Sequence, residues 1–249
     1  MDRYRVAVVI SLVALTVCCG VRIADPEIGQ RQSVTVDTSD PPAAVAAASI
    51  ERLRYADYTE DLVMKGEGEK TYRRIYVQNT KKRYSATARA GTPPTKTTPV
   101  RFFGGETMGW DNVTHVEPWD SQWEKARGGS YHYFYNPFNP DAIADADVRT
   151  VQKNETTLVV AVENDETVNA IIEGTVAGGF GFGADSYLEF HIDRDTGNLE
   201  RAIIEATAES NISVAYDYRF SNYGETTVER PDPVPRFTLE GIFYDVVYA

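Results

Sequence analysis

The stretch YLEFHIDRDTGNLERAIIEATAESNISVAYDYRFS, residues 187–221, decides the fold class. Its apolar residues recur at every second position. Leu188, Phe190 and Ile192 alternate with Tyr187, Glu189 and His191, and Ala202, Ile204, Ala206 and Ala208 follow. Ile212, Val214, Tyr216, Tyr218 and Phe220 alternate with Ser213, Ala215, Asp217, Arg219 and Ser221. A period of two sends one set of side chains to each face of a strand, so these are strands with one buried face. Asp193-Arg194-Asp195-Thr196-Gly197-Asn198 separates the first two and is rich in turn formers. It predicts a hairpin, and short connections make neighbouring strands antiparallel.

The same period extends upstream. Tyr84, Ala86, Ala88 and Ala90 alternate with Arg83, Ser85, Thr87 and Arg89. Leu158, Val160 and Val162 share one face while Val159 and Ala161 take the other, which predicts a strand buried on both sides. Gly66-Glu67-Gly68 and Asn79-Thr80-Lys81-Lys82 punctuate the early strands. Helical spacing is confined to the start. Ala43 to Arg54 places Val45, Ser49, Ile50 and Leu53 on one face, with Asp40 as the expected N-cap and Pro41 at the first helical position. Asn139-Pro140-Asp141 predicts a short helix through about Ala146. The expectation is an α+β protein with about eight to ten strands, one longer helix and one or two short ones. They form a strongly curved antiparallel sheet, a half-open barrel, covered by the N-terminal helix and short helices or loops.

The chain has 249 residues, 25 Lys+Arg against 37 Asp+Glu, and a net charge of −12. Such an acidic surface excludes nucleic acid as a partner, because phosphates demand basic residues. Arg outnumbers Lys by 18 to 7. An acidic, Lys-poor surface suits a halophilic setting in which like charges are screened.

The N-terminus reads as an export signal. Arg3 and Arg5 precede Val6 to Val17, an uncharged apolar run of 12 residues. That is short for a membrane span of about 20 residues, although counting on to Val21 gives 16 and leaves an uncleaved anchor as the alternative. Cys18 and Cys19 follow it directly and are the only cysteines. A Cys in this place resembles the lipobox of exported lipoproteins, whose thiol takes a lipid and becomes the new N-terminus. Leu15 and Thr16 fit the pattern for Cys18, whereas Val17 stands where a smaller residue is usual. The expected organisation is a signal peptide over 1–19, a flexible tether over 20–42, one domain over 43–235 and an apolar C-terminal tail over 236–249. The domain would sit outside the cell membrane, anchored to its outer face. In that setting Asn112-Val-Thr114, Asn154-Glu-Thr156 and Asn211-Ile-Ser213 are candidate glycosylation sites.

The order of features resembles a known family. It comprises the N-terminal helix, the early hairpin strands, Phe102-Phe103-Gly104-Gly105-Glu106-Thr107-Met108-Gly109-Trp110 and Asn136-Pro137-Phe138-Asn139-Pro140 opening a helix. The Asp193 to Gly197 hairpin and Phe220-Ser221-Asn222-Tyr223-Gly224 leading to Val228-Glu229-Arg230-Pro231 complete it. Over about residues 43–231 the pattern is similar to the lipoprotein carriers of the Lol system, to the LppX/LprG-type lipid-carrying lipoproteins and to haloarchaeal lipoproteins of that fold. The resemblance implies a concave apolar face that holds an acyl-type ligand, with no cofactor and no catalytic residue. The tail from Arg236 to Ala249 lies beyond the family's usual end, and its nine apolar residues of 14 are too few to span a membrane.

Residues that carry chemistry are sparse. His191-x-Asp193-x-Asp195 is the best metal candidate, but its two acids open a turn where Asp is favoured for geometry alone. His115 and His132 lack ligand spacing, and no G-x-S-x-G elbow exists. The reading is therefore of no metal and no enzyme. Trp110, Trp119 and Trp123, with Phe180 and Phe182 in the Gly174 to Gly183 run, are the groove candidates. The aromatic cluster, which extends to Tyr131, Tyr133, Phe134, Tyr135 and Phe138, reads as a lid, a sugar platform or core packing. The alternative function is a structural or interaction lipoprotein with a filled core and no ligand.

Overall fold

The computed structural model describes residues 33–66, 71–79, 84–90, 97–104, 109–114, 121–125, 137–173, 182–208 and 213–228. The signal over 1–19 and the tail over 236–249 lie outside them.

Helix α1 (Pro42–Leu53) leads into β1 (Tyr58–Lys65), β2 (Thr71–Asn79), β3 (Tyr84–Ala90), β4 (Thr97–Gly104), β5 (Gly109–Thr114) and β6 (Ser121–Lys125). A crossover bearing α2 (Pro140–Ala144) reaches β7 (Arg149–Lys153) and β8 (Thr157–Val162), and α3 (Asp165–Ile172) precedes β9 (Phe182–Asp193), β10 (Leu199–Ala208) and β11 (Ser213–Ser221). Among the described residues the strands form a single curved, open sheet of eleven, in the order β6-β5-β4-β3-β2-β1-β11-β10-β9-β8-β7. Two antiparallel meanders thus run outward from a central seam. The seam is the pairing of the first strand with the last, with Leu62 opposite Tyr218. The expected class holds, and the strand count exceeds the expected range by one.

The register separates two faces. A row across the seam contains Leu62, Tyr218, Ala202, Phe190 and Val160. All five are buried, and α1 supplies Val45, Ala46, Ile50 and Leu53 against them. Strand β8 is buried on both faces, as its continuous apolar run predicts. The helices bring their cover to β8, β9 and β10, so it lies over the second meander.

Three local expectations are corrected. Asp40 does not cap α1. Pro41 occupies the N-cap with no side-chain bond, and the helix begins at Pro42. The bonding carboxylate is Asp37, whose Oδ1 accepts from Ser39 N at 2.9 Å. The short second helix ends at Ala144 rather than Ala146. Helix α3 has no counterpart in the periodicity reading. Asn164 caps it, its Oδ1 accepting from Thr167 N at 2.9 Å, and Val168, Ile171 and Ile172 are buried.

Residues 33–40 run along the β9–β10 turn. Val36 packs against the core, and the Thr38 hydroxyl donates to Arg194 O at 3.0 Å. Gly197 makes this approach possible. Its φ is +71°, and a Cβ there would fall well inside van der Waals contact of Val36. Gly224 has a similar φ of +78° with nothing within 4 Å of the same point. Gly224→Ala is therefore expected to lose only the left-handed strain, about 1–2 kcal/mol. Gly197→Ala should lose clearly more, because Val36 must also move. Equal losses in urea unfolding would show that the Val36 contact resists nothing.

Candidate functional site

The inner face changes character at the seam. On the side of β8–β11 it is apolar and sealed by helices. On the side of β2 it turns polar. Glu60 shares its strand face with Tyr58 and Leu62, yet it is 0% exposed. Arg74 reaches it from β2, with Nη2 2.5 Å from Glu60 Oε1 and 13% of the side chain exposed. Among the described residues Glu60 Oε2 accepts no hydrogen bond. Burial pushes the Glu60 carboxyl up, and Arg74 opposes that shift.

Beside this pair Gln78 is fully buried. Its Nε2 donates to Leu53 O at 3.0 Å and Ala56 O at 2.9 Å, so it satisfies carbonyls that the end of α1 leaves open. Its Oε1 accepts from the Tyr76 hydroxyl at 2.8 Å, and the Thr226 hydroxyl donates to its backbone carbonyl. A polar hinge of β1 and β2 residues thus joins α1, the sheet and the segment after β11.

The register carries this face onward into the first meander. The row of Glu60 and Tyr76 continues to Thr87, Arg101, Asp111 and Glu124. Arg74 stands opposite Arg89, and Gln78 opposite Ser85, which pairs with Phe103. The opposite face has the row of Thr59, Val77, Ala86, Phe102, Trp110 and Lys125. Trp110 therefore falls in a register row opposite the face of Tyr58. Trp123 stands opposite Asn112 on the β5–β6 ladder. Phe182 opens β9 opposite Ala208. Trp119, Phe180, Cys18, Cys19 and Asn211 lie outside the described residues. Phe138 belongs to the core. Its ring meets Phe190 at 5.1 Å and Tyr218 at 5.3 Å, both edge-on.

The Glu60–Arg74 pair was missed in the sequence, though the signal was present. Both residues occupy positions where period two calls for an apolar side chain.

The outer face of the second meander carries a ladder of charges. Asp217 accepts from Arg201 Nε at 2.7 Å and Arg219 Nη2 at 3.0 Å. Burial pushes the Asp217 carboxyl up, but the two guanidinium groups outweigh it and hold it below the usual range. Glu189 bridges the Tyr187 hydroxyl and His191 Nε2, the latter at 2.6 Å. Burial, then the Glu189 bond, pushes Tyr187 up to about 12. Asp193 Oδ1 accepts from Asp195 N at 2.8 Å and Thr196 N at 2.9 Å. That is turn geometry, and His191 is turned to Glu189 rather than to the aspartates. Among the described residues no three potential ligands converge on a metal. An open cleft of about 360 Å³ lies at the strand ends, lined by Lys65, Asp185, Glu205, Thr207 and Ser213.

No known protein family and no curated protein matches the chain in sequence. Solved structures do resemble it. A chain of the Pseudomonas aeruginosa MucA/MucB complex is 13% identical with a TM-score of 0.35, over 76% of this chain and 59% of that one. An uncharacterised conserved protein from Thermus thermophilus is 9% identical with a TM-score of 0.38, over 75% and 90%. A LolA superfamily protein from Nitrosomonas europaea is 9% identical with a TM-score of 0.31, over 80% and 97%. The chain thus spans under two thirds of the MucA/MucB chain that it matches. Likenesses at these TM-scores decide nothing about ligand or partner.

Proposed function

We propose that the chain is an exported, non-catalytic binding lipoprotein, anchored to the outer face of the cell membrane through Cys18 or Cys19. Its ligand is an acyl-type amphiphile held on the inner face of the first meander. The observation that carries this reading is the division of the inner face at the seam. Among the described residues the inner face of the second meander is filled, since Tyr216, Tyr218, Phe138 and Phe190 pack there and are fully buried. The first meander extends away from the helices, which cover β8, β9 and β10. Beyond β2 its inner rows mix the ring position Phe103 with the cation positions Arg89 and Arg101. Such a face suits a molecule with an apolar chain and an anionic head. Asp111 and Glu124 share the row of Arg101, so the head would be met by individual guanidinium groups rather than by a net positive face.

The filled second meander favours the alternative of a structural or interaction lipoprotein. Native mass spectrometry of the purified chain separates the two. A bound amphiphile released by organic solvent is the expected result, with less of it retained by Arg101→Gln. A chain at its own mass, with nothing extracted, would leave the structural reading.

A further inference from the structure

We propose that Asn154 carries an N-linked glycan that shields the open β7 edge of the sheet. This rests on the export reading above. The three sequons are alike in sequence, and their places in the fold set them apart. Asn112 stands within β5, opposite Trp123 on the β5–β6 ladder. Asn211 lies outside the described residues. Asn154 directly follows β7 at the tip of the β7–β8 hairpin, and residues 149–156 are all exposed.

The turn orients the acceptor amide. Asn154 Oδ1 accepts from Thr156 N at 3.0 Å, Thr157 N at 2.7 Å and the Thr156 hydroxyl at 3.3 Å. With the oxygen tied to the turn, Nδ2 is on the other side of the amide carbon. Among the described residues no hydrogen bond engages it. Backbone bonds hold the tip, with Asn154 N donating to Thr157 O at 3.0 Å and the Arg194 guanidinium donating to Asn154 O. A substituent on Nδ2 therefore projects into solvent without breaking any of these bonds.

The edge supplies the purpose. Strand β7 ends the sheet order, and its outer backbone groups have no strand beside them among the described residues. All five of its residues are exposed. Val151, 43% exposed, sits at a break in register between Thr150 and Gln152. An exposed edge with an apolar residue is a template for unwanted strand pairing. A bulky, solvated group one residue beyond the strand obstructs that approach.

The donor is a lipid-phosphate-linked oligosaccharide on the exported side of the membrane. The bond formed joins Asn154 Nδ2 to C1 of the first sugar. The bond broken joins C1 to the lipid phosphate oxygen, the lipid phosphate leaves with the electron pair, and Nδ2 gives up one proton.

The test uses the full-length chain purified from membranes of its native source. The tryptic peptide from Asn154 to Arg194 contains no other sequon. Its mass is expected to include sugar, lost in Asn154→Gln and Thr156→Val and retained in Thr156→Ser. The N-terminal peptide of the same digest reports export separately. Loss of residues 1–17 with a sugar-free Asn154 peptide overturns this inference alone. Retention of residues 1–17 with a sugar-free peptide overturns the lipidated anchor as well. Asn154→Gln and Thr156→Val should both increase self-association in size-exclusion chromatography relative to Asn112→Gln. Equal elution of all three would overturn the shielding role.

Discussion

Phe138→Ala is expected to lower the unfolding free energy by about 3–5 kcal/mol, the range for emptying a buried aromatic site. Phe138 is 2% exposed. Its edge-on contacts with Phe190 and Tyr218 tie the β6–β7 crossover to two strands of the second meander. The next residue adds a backbone bond, Asn139 N donating to Ile171 O at 2.7 Å, so the same point docks α3. The ring and the Asn139 bond together lock the crossover to the sheet and to α3. Phe138→Leu keeps most of the volume and loses the ring geometry, which is worth about 0.5–1.5 kcal/mol per aromatic pair. It should fall between wild type and alanine. Chemical denaturation checks both, and a loss under about 1 kcal/mol for the alanine variant would remove Phe138 from the core.

The contrast between Phe138 and Trp110 shows where sequence reading reaches its limit. Both belonged to one aromatic cluster, and composition alone could not sort them. What sorts them is non-local. Phe138 meets Phe190 across 52 residues of chain, while Trp110 is placed by a ladder that runs back through Phe102 and Ala86 to Val77. Strands β9 to β11 were legible because a helix-covered core demands one apolar face, and period two writes that demand into the sequence. Strands β4 to β6 were not, since Arg101, Asp111 and Glu124 share the inner-face row. Alternation fades when both faces are mixed. Helix α3 is eight residues long, too short for helical spacing to stand out from the strands beside it. The seam between β1 and β11 joins the first strand to the last, and no local pattern records it.

The seam also holds the second large effect. Arg74→Met should cost about 3–5 kcal/mol at neutral pH, because it leaves the Glu60 carboxylate buried without its cation. Glu60 is 0% exposed, and the Arg74 guanidinium 2.5 Å away is its counter-charge. The pH dependence distinguishes this account from simple loss of packing. Burial raises the folded Glu60 pKa above the ordinary carboxylate range, so the folded state binds the proton more tightly than the unfolded chain does. Stability contributed by a raised carboxyl is present at low pH and falls as pH rises through the folded pKa. Without Arg74 to oppose burial, that pKa should rise further. The penalty of Arg74→Met should therefore shrink as pH falls from neutral toward 5, while Glu60 takes up its proton. The double variant Glu60→Gln/Arg74→Met carries no titrating group at the site, and its cost should be smaller at pH 7 and independent of pH. Urea unfolding of the wild type, both single variants and the double variant at pH 5 and pH 7 measures the coupling. A penalty for Arg74→Met that is equal at both values would show that Arg74 acts through its methylene stem and not through its charge.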